Sequence, residues 1–198
     1  MIYETLQILK EQLETYFDSV GLGKIIVLDN IALWESGSED ASRIDGKVVI
    51  TLLRMDEETT LKNIPNYKIK DGKTEYRNPP VHLNLFVLIS ANCESYDKSL
   101  RSISKTIQFF QGKKVFNAAN TVYNRNNVSF DVFGQFRFIL ELYTPSFEEL
   151  NNVWGILGGR QLPSVIYRIQ LIQIEQDKIL ESSELISQVG GDLNNIEL

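Results

Sequence analysis

A single histidine, His82, and a single cysteine, Cys93, are the residues of this chain best suited to nucleophilic or metal chemistry. A cysteine becomes a nucleophile when a neighbouring base lowers its proton affinity, and the base needs a third group to orient it. No such third group is marked here. His82 and Cys93 flank or enter one apolar stretch, Val81 to Ala91, where packing in or at the rim of a core is the simpler use of both. One histidine and one cysteine also leave a zinc centre short of ligands. The acid pairs Glu57-Glu58 and Glu148-Glu149 are adjacent in sequence, which suits a solvated face or a helix start. A catalytic pair of carboxylates would need apolar surroundings that push their pKa values apart. Gly158-Gly159 closes a helical pattern, whereas a phosphate-cradling loop opens one. No catalytic, cofactor-binding or metal-binding residue is therefore expected, and the chain reads as a non-enzymatic protein.

Composition narrows the class further. The chain has 198 residues, 43% of them hydrophobic and 23% charged, an ordinary balance for one globular domain. The net charge is -6 and no cluster of Lys and Arg interrupts it, which argues against nucleic acid as a partner. A lone cysteine excludes an internal disulfide. No apolar window approaches the roughly 18 residues of a membrane span. The start, Met1-Ile2-Tyr3-Glu4-Thr5-Leu6, lacks a basic region and an apolar core, so no secretory leader is expected and synthesis in the cytosol follows.

The elements that position these residues are organised around Asn78-Pro79-Pro80 and the run Val81 to Ala91. Proline cannot donate to a ladder and keeps its predecessor extended, so a strand starts at about Val81. Leu83, Leu85, Val87 and Ile89 fall on one side and Phe86 and Leu88 on the other, the pattern of a central strand covered on both faces. Asn84 is the polar exception and needs a partner. Ahead of it, Ile2, Leu6, Leu9, Leu13, Phe17 and Val20 form one stripe of a helix that Gly21 and Gly23 stop. Ile25 to Leu33 reads as extended, Glu35 to Asp45 as a loop with one helical turn, and Val48 to Leu53 as a strand. Lys70-Asp71-Gly72-Lys73 marks a hairpin.

After the central strand, Ser95 is placed to cap a helix whose buried stripe is expected at Leu100, Ile103, Ile107 and Phe110. Val115 to Asn117 is a short extended piece and Asn120 to Asn127 a loop. Ser129 to Tyr143 alternates as a strand with Phe130, Val132, Phe136, Phe138, Leu140 and Leu142 on its packed face. Ser146 and Glu149 form a capping box for a helix that carries Phe147, Leu150, Trp154 and Leu157 inward. Pro163 to Ile174 is the last strand. The sum is an α/β chain of the α+β kind, a mixed, largely antiparallel sheet flanked by helices. Residues 1-178 form one domain, and 179-198 a frayed tail or a docking arm using Ile179, Leu180, Leu185 and Ile186. Phe133 and Ile139, on the polar side of their strand, are candidates for a contact surface.

The Pro79-Pro80 strand entry, the helix from Tyr96, the segment Leu142 to Gly158 and the opening Leu162-Pro163-Ser164-Val165-Ile166-Tyr167 resemble a known family. Trp154-Gly155 at the end of a helix, followed by Pro163-Ser164 and Tyr167, is the most specific part. The family forms the N-terminal part of the cap, or tail-terminator, protein of phage-tail-like contractile injection systems, of the antifeeding prophage and Photorhabdus virulence cassette type. The resemblance covers residues 2 to about 178 and implies a phage tail-terminator-like fold. It further implies a structural subunit made in the bacterial cytoplasm and assembled as a hexamer ring on the inner tube and sheath, opposite the baseplate. Its partners would be itself and the tube and sheath subunits. The particle would be released or cell-anchored. Many members continue into a further C-terminal region, where this sequence has a short tail. Another structural adaptor of the same particle, baseplate or tube-associated, is the alternative. A small-ligand protein would instead show a closed apolar pocket around His82 and Cys93. The loop Asn120 to Asn127, the hairpin at Asp71-Gly72 and the C-terminal tail are the candidate interfaces.

Overall fold

The computed structural model describes residues 1–35, 39–61, 65–70, 73–124, 136–174 and 179–184. Helix α1 spans Ile2–Ser19 and ends where Gly21 and Gly23 take positive φ, 77° and 75°. Strand β1 (Ile26–Leu28) is shorter than the expected extended run, because Ile31–Glu35 winds into a 3-10 helix. The short helix α2 (Glu39–Ile44) leads into β2 (Lys47–Glu57). Strands β3 (Tyr67–Lys70) and β4 (Lys73–Arg77) form the expected hairpin, Lys70 opposite Lys73, with Asp71 and Gly72 themselves outside the described residues. Strand β5 (Val81–Asn92) begins directly after Pro79-Pro80.

Helix α3 (Tyr96–Gly112) starts at Ser95, whose Oγ accepts from the Lys98 backbone N–H. Then follow β6 (Val115–Asn117), β7 (Arg137–Tyr143), α4 (Phe147–Ile156), β8 (Ser164–Ile174) and β9 (Ile179–Glu184). The main sheet runs β1-β2-β5-β8-β7-β6, with β1 parallel to β2 and every other pair antiparallel. A second sheet, β3-β4-β9, stands beside it.

Both faces of the central strand are covered, as its sequence requires. Leu85, Val87 and Ile89 pack with Leu9, Leu13 and Phe17 of α1 and Phe110 of α3. Leu88 packs on the opposite face with Ile44, Trp154 and Ile166. Phe116 and Phe138 stack at 5.1 Å and 8°, and Phe110 meets Tyr167 at 5.0 Å. Burial pushes the Tyr167 phenol up to about 12. At the end of α3 the Lys113 ammonium reaches Gln12 Oε1 (2.7 Å) and the Asn120 carbonyl (2.9 Å), tying α1 to the loop after β6. Burial lowers its pKa.

Several expected positions are corrected. On α3, Leu100 and Ile107 are exposed, and the face toward the sheet is Ser99, Ser102, Ile103, Thr106 and Phe110. The hydroxyls can be buried because the helix satisfies them itself: Ser102 donates to the Lys98 carbonyl and Thr106 to the Ser102 carbonyl, each at 2.9 Å. The capping box of α4 is present, with the Ser146 N–H donating to Glu149 Oε2 at 2.8 Å. That places Phe147 at the first turn facing water, 92% exposed, and leaves Trp154 as the buried anchor. Leu142, at the end of β7, is exposed, since the Phe138–Leu140 core does not extend that far. Of the long strand expected from Ser129, residues 137–143 are β7 and 125–135 lie outside the described residues. Residues 179–184, the start of the segment read on sequence as a tail or docking arm, are a strand paired with β4.

Candidate assembly surface

The residues with catalytic potential are kept apart. His82 opens β5 and Cys93 follows its last residue, so at about 3.3 Å per residue the strand holds them roughly 35 Å from each other. Cys93 serves the start of α3 instead. Its backbone N–H donates to Ser99 Oγ at 3.3 Å and its Sγ lies 3.7 Å from Ser102 Oγ. Among the described residues, no three His, Cys, Asp or Glu side chains gather as metal ligands. Among the described residues, no helix is long and apolar enough to cross a membrane.

Asn84 finds the partner that its burial demands. Its Nδ2 donates to Glu58 Oε2 at 2.9 Å, while Glu58 Oε1 accepts from Thr60 Oγ1 at 2.7 Å. The Glu58 N–H in turn donates to the His82 carbonyl at 2.8 Å. This cluster joins the end of β2 to β5 where the chain leaves for the hairpin sheet. Donation from the Thr60 hydroxyl, then from the Asn84 amide, holds the Glu58 carboxyl down at about 2, against an ordinary 4.5. A depressed carboxyl stabilises the fold fully above its unfolded pKa and loses that contribution as pH falls toward the folded one. The gap in urea midpoint between the native chain and Glu58→Gln is therefore expected to be widest above pH 4.5 and to close toward pH 2. A gap that does not change with pH contradicts the assignment.

What the fold leaves open is backbone edge and apolar surface. Strand β1 pairs only with Val48, Val49 and Ile50, so from Thr51 onward β2 has no described strand on the side away from β5. The chain leaves β1 by a turn clamped to Thr51, whose hydroxyl donates to the Asp29 carbonyl (2.7 Å) and accepts from the Ile31 N–H (3.1 Å). Beyond it lies a groove of about 580 Å³, walled by Tyr3 and Leu6 on one face of the sheet and by Val153 and Ile156 on the other, with Leu52 and Leu53 at its floor. Tyr3 is 58% and Ile156 85% exposed. On the hairpin sheet, Tyr67 faces Tyr76 across the ladder, rings 6.4 Å apart, and Ile69, Ile179 and Leu180 are exposed as well.

Of the residues that sequence reasoning named for contact, Ile139 is half-buried within β7, and Phe133, Leu185 and Ile186 lie outside the described residues. Asn120 is described and closes a turn with Asn117. The groove at β2 had no sequence signal of its own, because it depends on how early β1 ends.

A six-stranded mixed sheet between two pairs of helices, with a second, three-stranded sheet, defines an α+β domain. The chain belongs to the family described as the Pvc16 N-terminal domain, which it matches over residues 4–188. Its fold is similar to that of the sheath/tube terminator, in the extended state, of an extracellular contractile injection system, PVC. The TM-score is 0.63 at 15% identity, covering 100% of this chain and 64% of that one. It is also similar to the anti-feeding prophage cap, described as the tube-terminating cap, with a TM-score of 0.61 at 14% identity over 96% of this chain and 60% of that one. The chain thus spans under two thirds of the length of either structure. No curated protein is matched in sequence.

Proposed function

We propose that this chain is a structural cap, or terminator, subunit that closes the end of the inner tube and sheath of a contractile injection system, opposite the baseplate. The observation that carries the reading is a fold shared over its whole length with a sheath/tube terminator, together with membership of the Pvc16 N-terminal domain family. It acts as a ring of six copies, has the tube and sheath subunits as partners, and performs no catalysis. The separation of His82 from Cys93 supports the last point. The open edge of β2 and the exposed apolar positions on the hairpin sheet suit a protein whose surfaces are completed by neighbours.

A terminator acts on polymerisation. Purified chain added to polymerising cognate tube subunits is expected to shorten the mean tube length in proportion to dose and to appear at one tube end by electron microscopy. Tubes of unchanged length with bare ends contradict the proposal.

A further inference from the structure

We infer that α4 of one copy packs against α3 and the end of β7 of a second copy, so that each subunit meets its neighbours head to tail. This rests on the terminator reading, because it supplies the contact between adjacent subunits.

The first half of the contact is an apolar strip on α3. At about 100° per residue, Tyr96, Leu100 and Ile107 fall within roughly 40° of one another around the helix, and all three are exposed. Leu142, exposed at the end of β7, carries the strip onto the sheet. It pairs with Tyr167 across the β7–β8 ladder, and the Tyr167 ring meets Phe110 of α3, so Leu142 lies on the α3 side.

The second half is the outer face of α4. Phe147 and Ile156 stand exposed at its two ends, on either side of a line through Glu148 and Gly155. Within one copy Gly155 has no evident use: glycine inside a helix destabilises it relative to alanine, and a Cβ added there would meet nothing within 4 Å. A neighbour's helix drawn close over Gly155, gripped by Phe147 and Ile156, accounts for the missing side chain.

Charge decides which surface meets which. Helix α3 carries Lys98, Arg101 and Lys105 against Asp97, whereas α4 carries Glu148 and Glu149 and no cation. Lys98 is paired with Glu94, and Glu149 is engaged in the capping box. Among the described residues, Arg101 and Glu148 have no ion-pair partner. Two copies meeting through α3 would oppose like charges, and so would two meeting through α4. Only α3 against α4 brings opposite signs together. The two helices cover opposite faces of the main sheet, α3 with Phe110 in one core and α4 with Trp154 in the other. Each copy therefore offers one face to the neighbour ahead and the other to the neighbour behind, a heterologous contact of the type that closes into a ring.

Charge reversal on the full chain tests this, with self-association followed by light scattering, alone and on cognate tube. Arg101→Glu and Glu148→Arg are each expected to weaken self-association by about tenfold. The chain carrying both should recover it, because the pair is restored with its signs exchanged. Both side chains are exposed, so circular dichroism should not change. Gly155→Leu adds bulk at an open position and is expected to keep the fold while blocking the contact. Rings that tolerate each single reversal and Gly155→Leu overturn the inference and leave the terminator reading standing. So does a loss that the double reversal fails to recover, or an Arg101→Glu chain that associates more tightly, the sign of a two-fold contact through α3. Binding to tube or sheath by a chain that never associates with itself also overturns the inference alone. A chain that stays monomeric and binds neither tube nor sheath overturns both.

Discussion

Phe138→Ala is expected to remove about 3–5 kcal/mol of stability. Phe138 is 1% exposed, stacks on Phe116 at 5.1 Å and lies 5.9 Å from Phe136, so its loss opens a void that these neighbours can fill only in part. In a domain of ordinary stability, about 5–15 kcal/mol in total, that is a large share. It should appear as a fall in melting temperature of about 10 °C and an earlier urea midpoint. Phe147→Ala is the control. Its side chain is 92% exposed, and the change is expected to fall within about 0.5 kcal/mol. Equal losses at the two positions contradict the placement of the aromatic core.

Thr106→Leu is expected to destabilise, although it exchanges a polar residue for an apolar one on a buried helix face. Thr106 is fully buried, on the face of α3 that carries Ser102, Ile103 and Phe110. Its hydroxyl is already satisfied by the Ser102 carbonyl. Added methyl groups must push the helix from the sheet or leave their rotamers, at about 1–3 kcal/mol. Ile107→Ser, one residue on, faces outward and should change the stability of the isolated chain by less than about 0.5 kcal/mol. If Ile107→Ser is the more costly of the two, the helix is rotated from its described orientation.

That pair of substitutions also shows where sequence reasoning reached its limit. Apolar periodicity placed Leu100 and Ile107 inward with Ile103 and Phe110. The helix is rotated instead, because Ser99, Ser102 and Thr106 are small and allow close approach to the strand. The hydrogen bonds that make their burial tolerable are local to the helix, so composition alone did not favour them. Phe147 was misplaced for a related reason: a good capping box fixes where a helix begins but not which way its first turn faces. The features set by backbone chemistry were legible. Proline excluded ladder donation before Val81, glycine marked the end of α1, and Ser95 and Ser146 capped the helices assigned to them. Asn84 was recognisable as a residue in need of a partner, yet Glu58 lies 26 positions away in sequence and only the β2–β5 register brings it near. The groove beside β2 was not legible, because it follows from β1 stopping at Leu28 while β2 continues to Glu57.

Measuring the mass of the assembled species bears most directly on the terminator role. Light scattering of the purified chain, alone and then with its cognate tube and sheath proteins, should reveal a six-copy ring, either free or formed on the tube end. A stable monomer that binds neither protein refutes the role.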